Sequence, residues 1–285
     1  MLSRLLGLDL GSVCRHKSVL GGLEGLTISG ASNSSSERNA AVTLLFSRGA
    51  RPSARDIHSL AEGGAGFSVT FDPGEDVGGD DGVEEAPVWL ELLASGLSFD
   101  LSGLAPGAPT DAPPHRRSLA LDDDSIHTLE AVTLVPGPHL TAGMGLMPII
   151  KTLASVGASL TRLEGVRAVA WHPSRCWTEP GLYRDGVLRW VEGGVFPALT
   201  LASLAVSPDG GMHSEGLALF TGQELRLEPE MIGDQAEAAK LAVRLLDHLI
   251  ERGKIGARET IVGPDGSPLQ LEPSANGRFV RICRG

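Results

Sequence analysis

The stretch from Asp234 to Gly253 constrains the fold most. Ala238, Leu241, Ala242, Leu245, Leu249 and Ile250 recur at spacings of three and four, while Glu237, Lys240, Arg244, Asp247 and Glu251 fall on the opposite side. One apolar stripe and one wet face predict an amphipathic helix. Asp234 supplies an N-cap, Glu237 three residues on completes a capping-box-like pair, and Gly253 is a natural stop.

The flanking chain reads as short strands. Leu199–Val206 is an apolar run that ends at the turn Ser207-Pro208-Asp209-Gly210-Gly211, and Ser214–Phe220 is expected to pair back on it as a hairpin. Gly222 breaks the chain. Glu224–Glu228 alternates charged and apolar residues, which predicts a half-buried strand with Leu225 and Leu227 inward. After the helix, Glu259–Val262 and Leu269–Glu272 flank the turn Gly263-Pro264-Asp265-Gly266-Ser267, and Phe279–Ile282 is a last strand.

The run Glu215-Gly216-Leu217-Ala218-Leu219-Phe220-Thr221-Gly222-Gln223-Glu224-Leu225, with the helix and the Glu259-Thr260-Ile261-Val262-Gly263 step after it, resembles the bacterial DUF4261 family over roughly residues 165–285. A Thr-Gly pair stands where that pattern has Gly and a small polar residue. The family is uncharacterised, so the resemblance implies an α+β fold in a bacterial protein and supplies no reaction.

Upstream, Ala41–Phe46 reads as a strand, Pro52-Ser53 opens a helix through about Glu62, and Phe67–Phe71 is a second strand. Val88–Leu93 and Leu97–Leu101 flank Ser95-Gly96. Leu129–Val135, a helix over Met147–Leu163, Val166–Trp171 and a short helix over Pro180–Trp190 follow. The fold class expected is therefore α+β, with antiparallel or mixed sheets covered by two or three helices, and the recurring strand–helix–strand pattern admits two ferredoxin-like halves. The Gly- and Ser-rich residues 1–40 read as a flexible extension. Pro106, Pro109, Pro113 and Pro114 mark residues 105–124 as a long internal loop, which divides an N-terminal half, 41–120, from a C-terminal half, 121–285.

Charge narrows the function classes. The formal net charge is −11, which repels nucleic-acid phosphates and an anionic membrane surface. No apolar run approaches the roughly 20 residues of a membrane helix, and no leader pattern is visible at the start. Cys14, Cys176 and Cys283 are odd in number and far apart, which suits a reducing cytoplasm better than a disulfide framework.

Chemistry-bearing residues are sparse. The densest cluster is Trp171-His172-Pro173-Ser174-Arg175-Cys176-Trp177, placed just after a strand. His172 and Cys176, four apart, have the makings of a thiolate–imidazole pair or of two zinc ligands, and Trp171, Arg175 and Trp177 of a binding surface. The bland alternative is packing, with Cys176 as a small hydrophobe. His213-Ser214-Glu215 puts neighbours on opposite faces of a strand, so it is no triad by itself. Gly143-Met144-Gly145 lacks the third glycine of a dinucleotide fingerprint. Glu75, Asp76, Asp80, Asp81, Glu84 and Glu85 lack the EF-hand spacing, and Glu224, Glu228 and Glu272 fall on strands where carboxylates are ordinary. The expectation is a cytoplasmic binding or protein-interaction domain with no metal and no cofactor and an unidentified protein partner. The alternative is a thiol- or metal-dependent hydrolase using His172 and Cys176.

Overall fold

The computed structural model describes residues 40–76, 89–121 and 128–285. The proposed extension 1–40 (save its last residue), most of the acidic loop and Asp122 to Asp124 lie outside the described residues.

Two mixed sheets organise the chain, which is α+β. The larger has the order β2-β3-β4-β6-β1-β7-β8-β5. Its strands are β1 (Val42–Ser47), β2 (Ser68–Phe71), β3 (Trp89–Ala94), β4 (Leu97–Ser102), β5 (Arg117–Leu119), β6 (Leu129–Pro136), β7 (Val166–Trp171) and β8 (Cys176–Thr178). Every pairing in it is antiparallel except β5 with β8. The smaller has the order β12-β13-β14-β11-β10-β9. Its strands are β9 (Ser203–Val206), β10 (Met212–Glu215), β11 (Glu224–Leu227), β12 (Glu259–Val262), β13 (Pro268–Pro273) and β14 (Phe279–Arg284). It is two antiparallel meanders joined by the parallel pair β11–β14.

Four helices of nine residues or more cover these sheets, each with a local cause. In α1 (Ala54–Glu62), Ser53 and Asp56 form a reciprocal capping box. α2 (Met147–Leu160) carries Pro148 in its first turn, where the missing N–H would be unpaired anyway. The Glu179 carboxylate accepts from the N–H groups of Gly181 and Leu182 at 2.8 and 2.6 Å to start α3 (Pro180–Val191). The Asp234 carboxylate accepts from Ala236 and Glu237 at 2.8 and 3.0 Å to start α4 (Gln235–Arg252), and Gly253 ends it with φ 77°. The Glu237 side chain pairs with Lys240 rather than closing the expected capping box.

One continuous apolar core runs from Val42 and Leu44 through Leu153, Trp171 and Tyr183 to Leu225, Leu246 and Ile282. Each fully buried aliphatic side chain in it contributes on the order of 1.5–3 kcal/mol. Strands from both sides of residue 120 share the larger sheet, and the smaller sheet begins only at Ser203.

Two expected strands are corrected. Ala198–Leu201 is a helical turn, so only Ser203–Val206 of Leu199–Val206 is extended. Ser214–Phe220 is not one strand either: β10 stops at Glu215, Gly216 takes φ +100°, and Ala218–Thr221 is helical. Both runs are apolar without strict alternation, a pattern that a buried helical turn satisfies equally well.

A second, smaller apolar cluster lies on the opposite face of the larger sheet: Leu45, Ala131, Ala168, Ala170 and Trp177, with Ala112, Leu121 and Leu129 packed on it. The segment 103–111 is anchored there by Arg51, whose guanidinium bonds Glu130 at 2.9 Å and the carbonyls of Gly103 and Gly107 at 2.6 and 2.7 Å.

Candidate functional site

The residues that the sequence singles out sit where β7 turns into β8. After Trp171 the chain makes one 3-10 turn, His172–Ser174, and Arg175 adopts φ 50°, ψ 35° before β8 runs back. Trp171 and Cys176 are registered partners, as are Ala170 and Trp177, so the two pairs occupy opposite faces. Trp171 belongs to the main core, and Cys176 is 2% exposed on its side of the sheet. The His172 ring turns to the other face. Its Nε2 lies 2.8 Å from Thr43 Oγ1, which lies 2.9 Å from Thr133 Oγ1. Thr43 registers with Ala170, on the face away from Val42.

The fold therefore places His172 and Cys176 on different faces, with no hydrogen bond between them. Cys176 Sγ instead meets Trp177 O and Thr178 Oγ1 at 3.6 and 3.7 Å. Burial pushes its thiol up and the His172 imidazole down, the reverse of what a thiolate–imidazolium pair requires. Iodoacetamide at neutral pH is expected to leave Cys176 unmodified in the folded protein and to label it in denaturant. Rapid labelling of Cys176 in the folded state, read by peptide mass spectrometry, would contradict this burial.

What the segment does is join the two sheets. Ser174 Oγ donates to Thr200 O at 3.0 Å, and Ser203 Oγ donates to Ser174 O at 2.8 Å. A Cβ on Gly216 would stand 3.0 Å from Leu201 O, Pro173 C and Ser174 N, so three stretches of backbone meet at one point. The Arg175 carbonyl accepts from the N–H of Arg116, and Arg116 Nη1 pairs with Glu215 at 2.6 Å. His115 stacks on Trp177 with ring centroids 3.8 Å apart. The indole N–H groups of Trp171 and Trp177 are buried without an acceptor among the described residues.

The half-buried His172 is expected to give this joint a pH dependence. Its folded pKa lies below the ordinary value of 6.5 because burial penalises the cation. The unfolded chain then binds the proton more readily, so His172 supports stability fully above about pH 6.5 and loses that support as the pH falls below it. His115 and His213 are also lowered by burial, whereas Glu224 is raised and acts with the opposite sign. The His172 contribution is isolated by subtraction: the stability advantage of wild type over His172→Gln is expected to shrink between pH 7.5 and 5.5 in urea titrations. An advantage that stays constant or grows on acidification would contradict it.

The remaining candidates are dispersed. His213 Nδ1 lies 2.8 Å from Ser207 Oγ, and Glu215 pairs with Arg116, so neither joins Ser214 in a triad. Ser214 Oγ donates to Glu224, an alliance the sequence did not suggest because ten residues separate them. The same carboxylate accepts from the N–H groups of Gly216, Leu217 and Ala218 at 2.9, 3.1 and 3.0 Å. Burial pushes it up to about 7 against the pull of those donors. Glu228 sits between Arg226 and Arg281, and Glu272 pairs with Arg258, so the three glutamates have separate partners. Gly143 closes a 3-10 turn ahead of α2, where turn geometry accounts for it. Among the described residues, no group of three or more His, Cys, Asp or Glu is placed to hold a metal ion.

A different surface stands out in the fold. On the face of the larger sheet that carries Leu45 and Trp177, the second apolar cluster lies over β6, β1, β7 and β8, and among the described residues it does not extend over β2, β3 and β4. Phe71 and Leu93 there are 42% and 36% exposed. Phe71 packs on Trp89 at a centroid distance of 5.3 Å and an angle of 43°. Glu91 stands opposite both Phe71 and Asp100, and Leu93 opposite Ser98, so these side chains share one face. Alternation in Trp89-Leu90-Glu91-Leu92-Leu93 is a legible strand signal, but only the topology shows which strands the second apolar cluster covers. No protein-family model, curated protein or solved structure matches the chain.

Proposed function

We propose that the chain is a protein-interaction domain of the bacterial cytoplasm that works without a catalytic centre, and that it docks a partner on the open face of β2, β3 and β4. The observation that carries this is the exposure of Phe71 and Leu93 beside Trp89 on a sheet whose other half is covered by its own chain. The separation of His172 from Cys176 gives the thiol-enzyme reading no support, while the free Cys176 and Cys283 suit a reducing compartment. Among the described residues no helix is long and apolar enough to cross a membrane. The resemblance of the C-terminal part to the DUF4261 family fits this reading and adds no reaction.

The test is a photo-crosslinking amino acid at position 93 in the full chain expressed in cells, with a control at the solvent-facing Glu251. A discrete adduct from position 93 alone is expected. No adduct, or equal adducts from both positions, would remove the docking face. Turnover of a substrate abolished by one substitution elsewhere would overturn the non-enzymatic reading.

A further inference from the structure

The open face is amphipathic in a way that selects a partner. Glu91 and Asp100 are registered directly opposite each other on β3 and β4. Directly opposed like charges destabilise a strand pair. Thr70 Oγ1 donates to Glu91 Oε1 at 2.7 Å, but no lysine or arginine among the described residues is paired with either carboxylate. Burial, and then the charge of Glu91, raise Asp100, with His139 pulling the other way. Beside these carboxylates lie the tilted rings of Phe71 and Trp89.

Resting on the docking reading above, we propose that the face receives an arginine-bearing segment of a partner protein, with a guanidinium set between Glu91 and Asp100 against the Phe71 and Trp89 rings. A planar guanidinium matches this surface on each count. Its fork of donors bridges two carboxylates, it stacks on aromatic faces, and it is more weakly hydrated than an ammonium. The aliphatic stem covers Leu93, which water otherwise meets. The net charge of −11 favours the approach of a basic segment from a distance.

The free protein carries a cost that the partner relieves. Glu91→Gln with Asp100→Asn removes the repulsion and keeps both shapes, so this double variant is expected to melt at the same temperature as wild type or higher. The same change is expected to weaken the partner contact at least tenfold. A merely structural role for the two carboxylates would lower the melting temperature along with binding, and such a result would overturn the proposal.

The probe is a capped six-residue peptide alternating arginine and valine, titrated into the ¹⁵N-labelled full chain with amide and indole signals followed by NMR. Versions with citrulline and with lysine in place of arginine serve as comparisons. Shifts centred on Trp89, Glu91 and Asp100 are expected with the arginine peptide. They should weaken with added salt, weaken with lysine, and vanish with citrulline or with the double variant. Absence of shifts at millimolar arginine peptide, equal shifts with citrulline, or undiminished shifts in the double variant would each overturn the proposal. If position 93 still crosslinks a discrete protein in such a case, the docking face stands and only its arginine chemistry falls. If the adduct at position 93 is a second copy of this chain, the arginine-bearing partner is likewise overturned.

Discussion

Replacing Glu224 with Ala is expected to lower the unfolding free energy by about 3–5 kcal/mol, enough to consume much of the stability of an ordinary domain. The carboxylate accepts from three consecutive backbone N–H groups and the Ser214 hydroxyl at the point where β10 ends and a helical turn begins. Without it the N–H groups of Gly216, Leu217 and Ala218 lose their acceptor in a partly buried site, at about 1–3 kcal/mol for each donor that water does not reach. The Ser214 hydroxyl can rotate, and its acceptor role toward the Leu225 N–H survives, which keeps the total below a simple sum. Glu224→Gln retains one acceptor oxygen but turns an amide NH₂ toward donors, so an intermediate loss of about 2 kcal/mol is expected. Glu215→Gln is the control, since its partner Arg116 is largely exposed and such pairs contribute about 0–1 kcal/mol. Urea denaturation of the three variants decides it: an Ala variant no weaker than the Glu215→Gln control would mean that water replaces the carboxylate.

The same cradle explains what the sequence could and could not disclose. Helix α4 was legible because its stripe, cap and stop are all local, and the fold agrees within a residue or two. The hairpin β3–β4 was legible through Ser95-Gly96, both at positive φ in a two-residue turn. The run after Ser214 was not, because its conformation is dictated by a carboxylate from a later strand. No local propensity in Leu217-Ala218-Leu219-Phe220 records that acceptor. The pairing of His172 with Cys176 failed for a related reason. Spacing in sequence shows proximity, but the 3-10 turn and the left-handed Arg175 between them decide which face each side chain joins.

The open face is a third case. Trp89, Glu91 and Leu93 announce an amphipathic strand, and the net charge of −11 announces an acidic surface, so both ingredients were present in the sequence. What was missing is that Phe71 comes alongside through β2, and that Asp100 lands opposite Glu91 through the turn. Coverage is a property of topology: segment 103–111 crosses toward β6, where Thr110 O accepts from Ala131 N at 2.9 Å, and does not reach β2 or β3.

Substituting Ala for Gly216 is expected to cost about 3 kcal/mol, and a control separates its two causes. The positive φ of +100° alone strains an L-residue by about 1–2 kcal/mol. The added methyl would also press on Leu201 O, Pro173 C and Ser174 N at 3.0 Å. These are backbone atoms from two segments that are themselves tied by the Ser174 and Ser203 hydroxyls, so none can swing aside as a side-chain tip would. Gly210 has a similar φ of +89° but open space around it, so Gly210→Ala reports the strain alone, at about 1–2 kcal/mol. The excess of Gly216→Ala over Gly210→Ala measures how tightly the two sheets are joined. If the joint yields, Cys176, buried two residues beyond Ser174, is expected to become alkylated in the Gly216→Ala protein under conditions that leave wild type unlabelled. Equal losses for the two glycine variants, with Cys176 still protected, would show that the contact between the sheets is loose enough to absorb a methyl group and that the continuous core, not this hinge of backbone, holds them together.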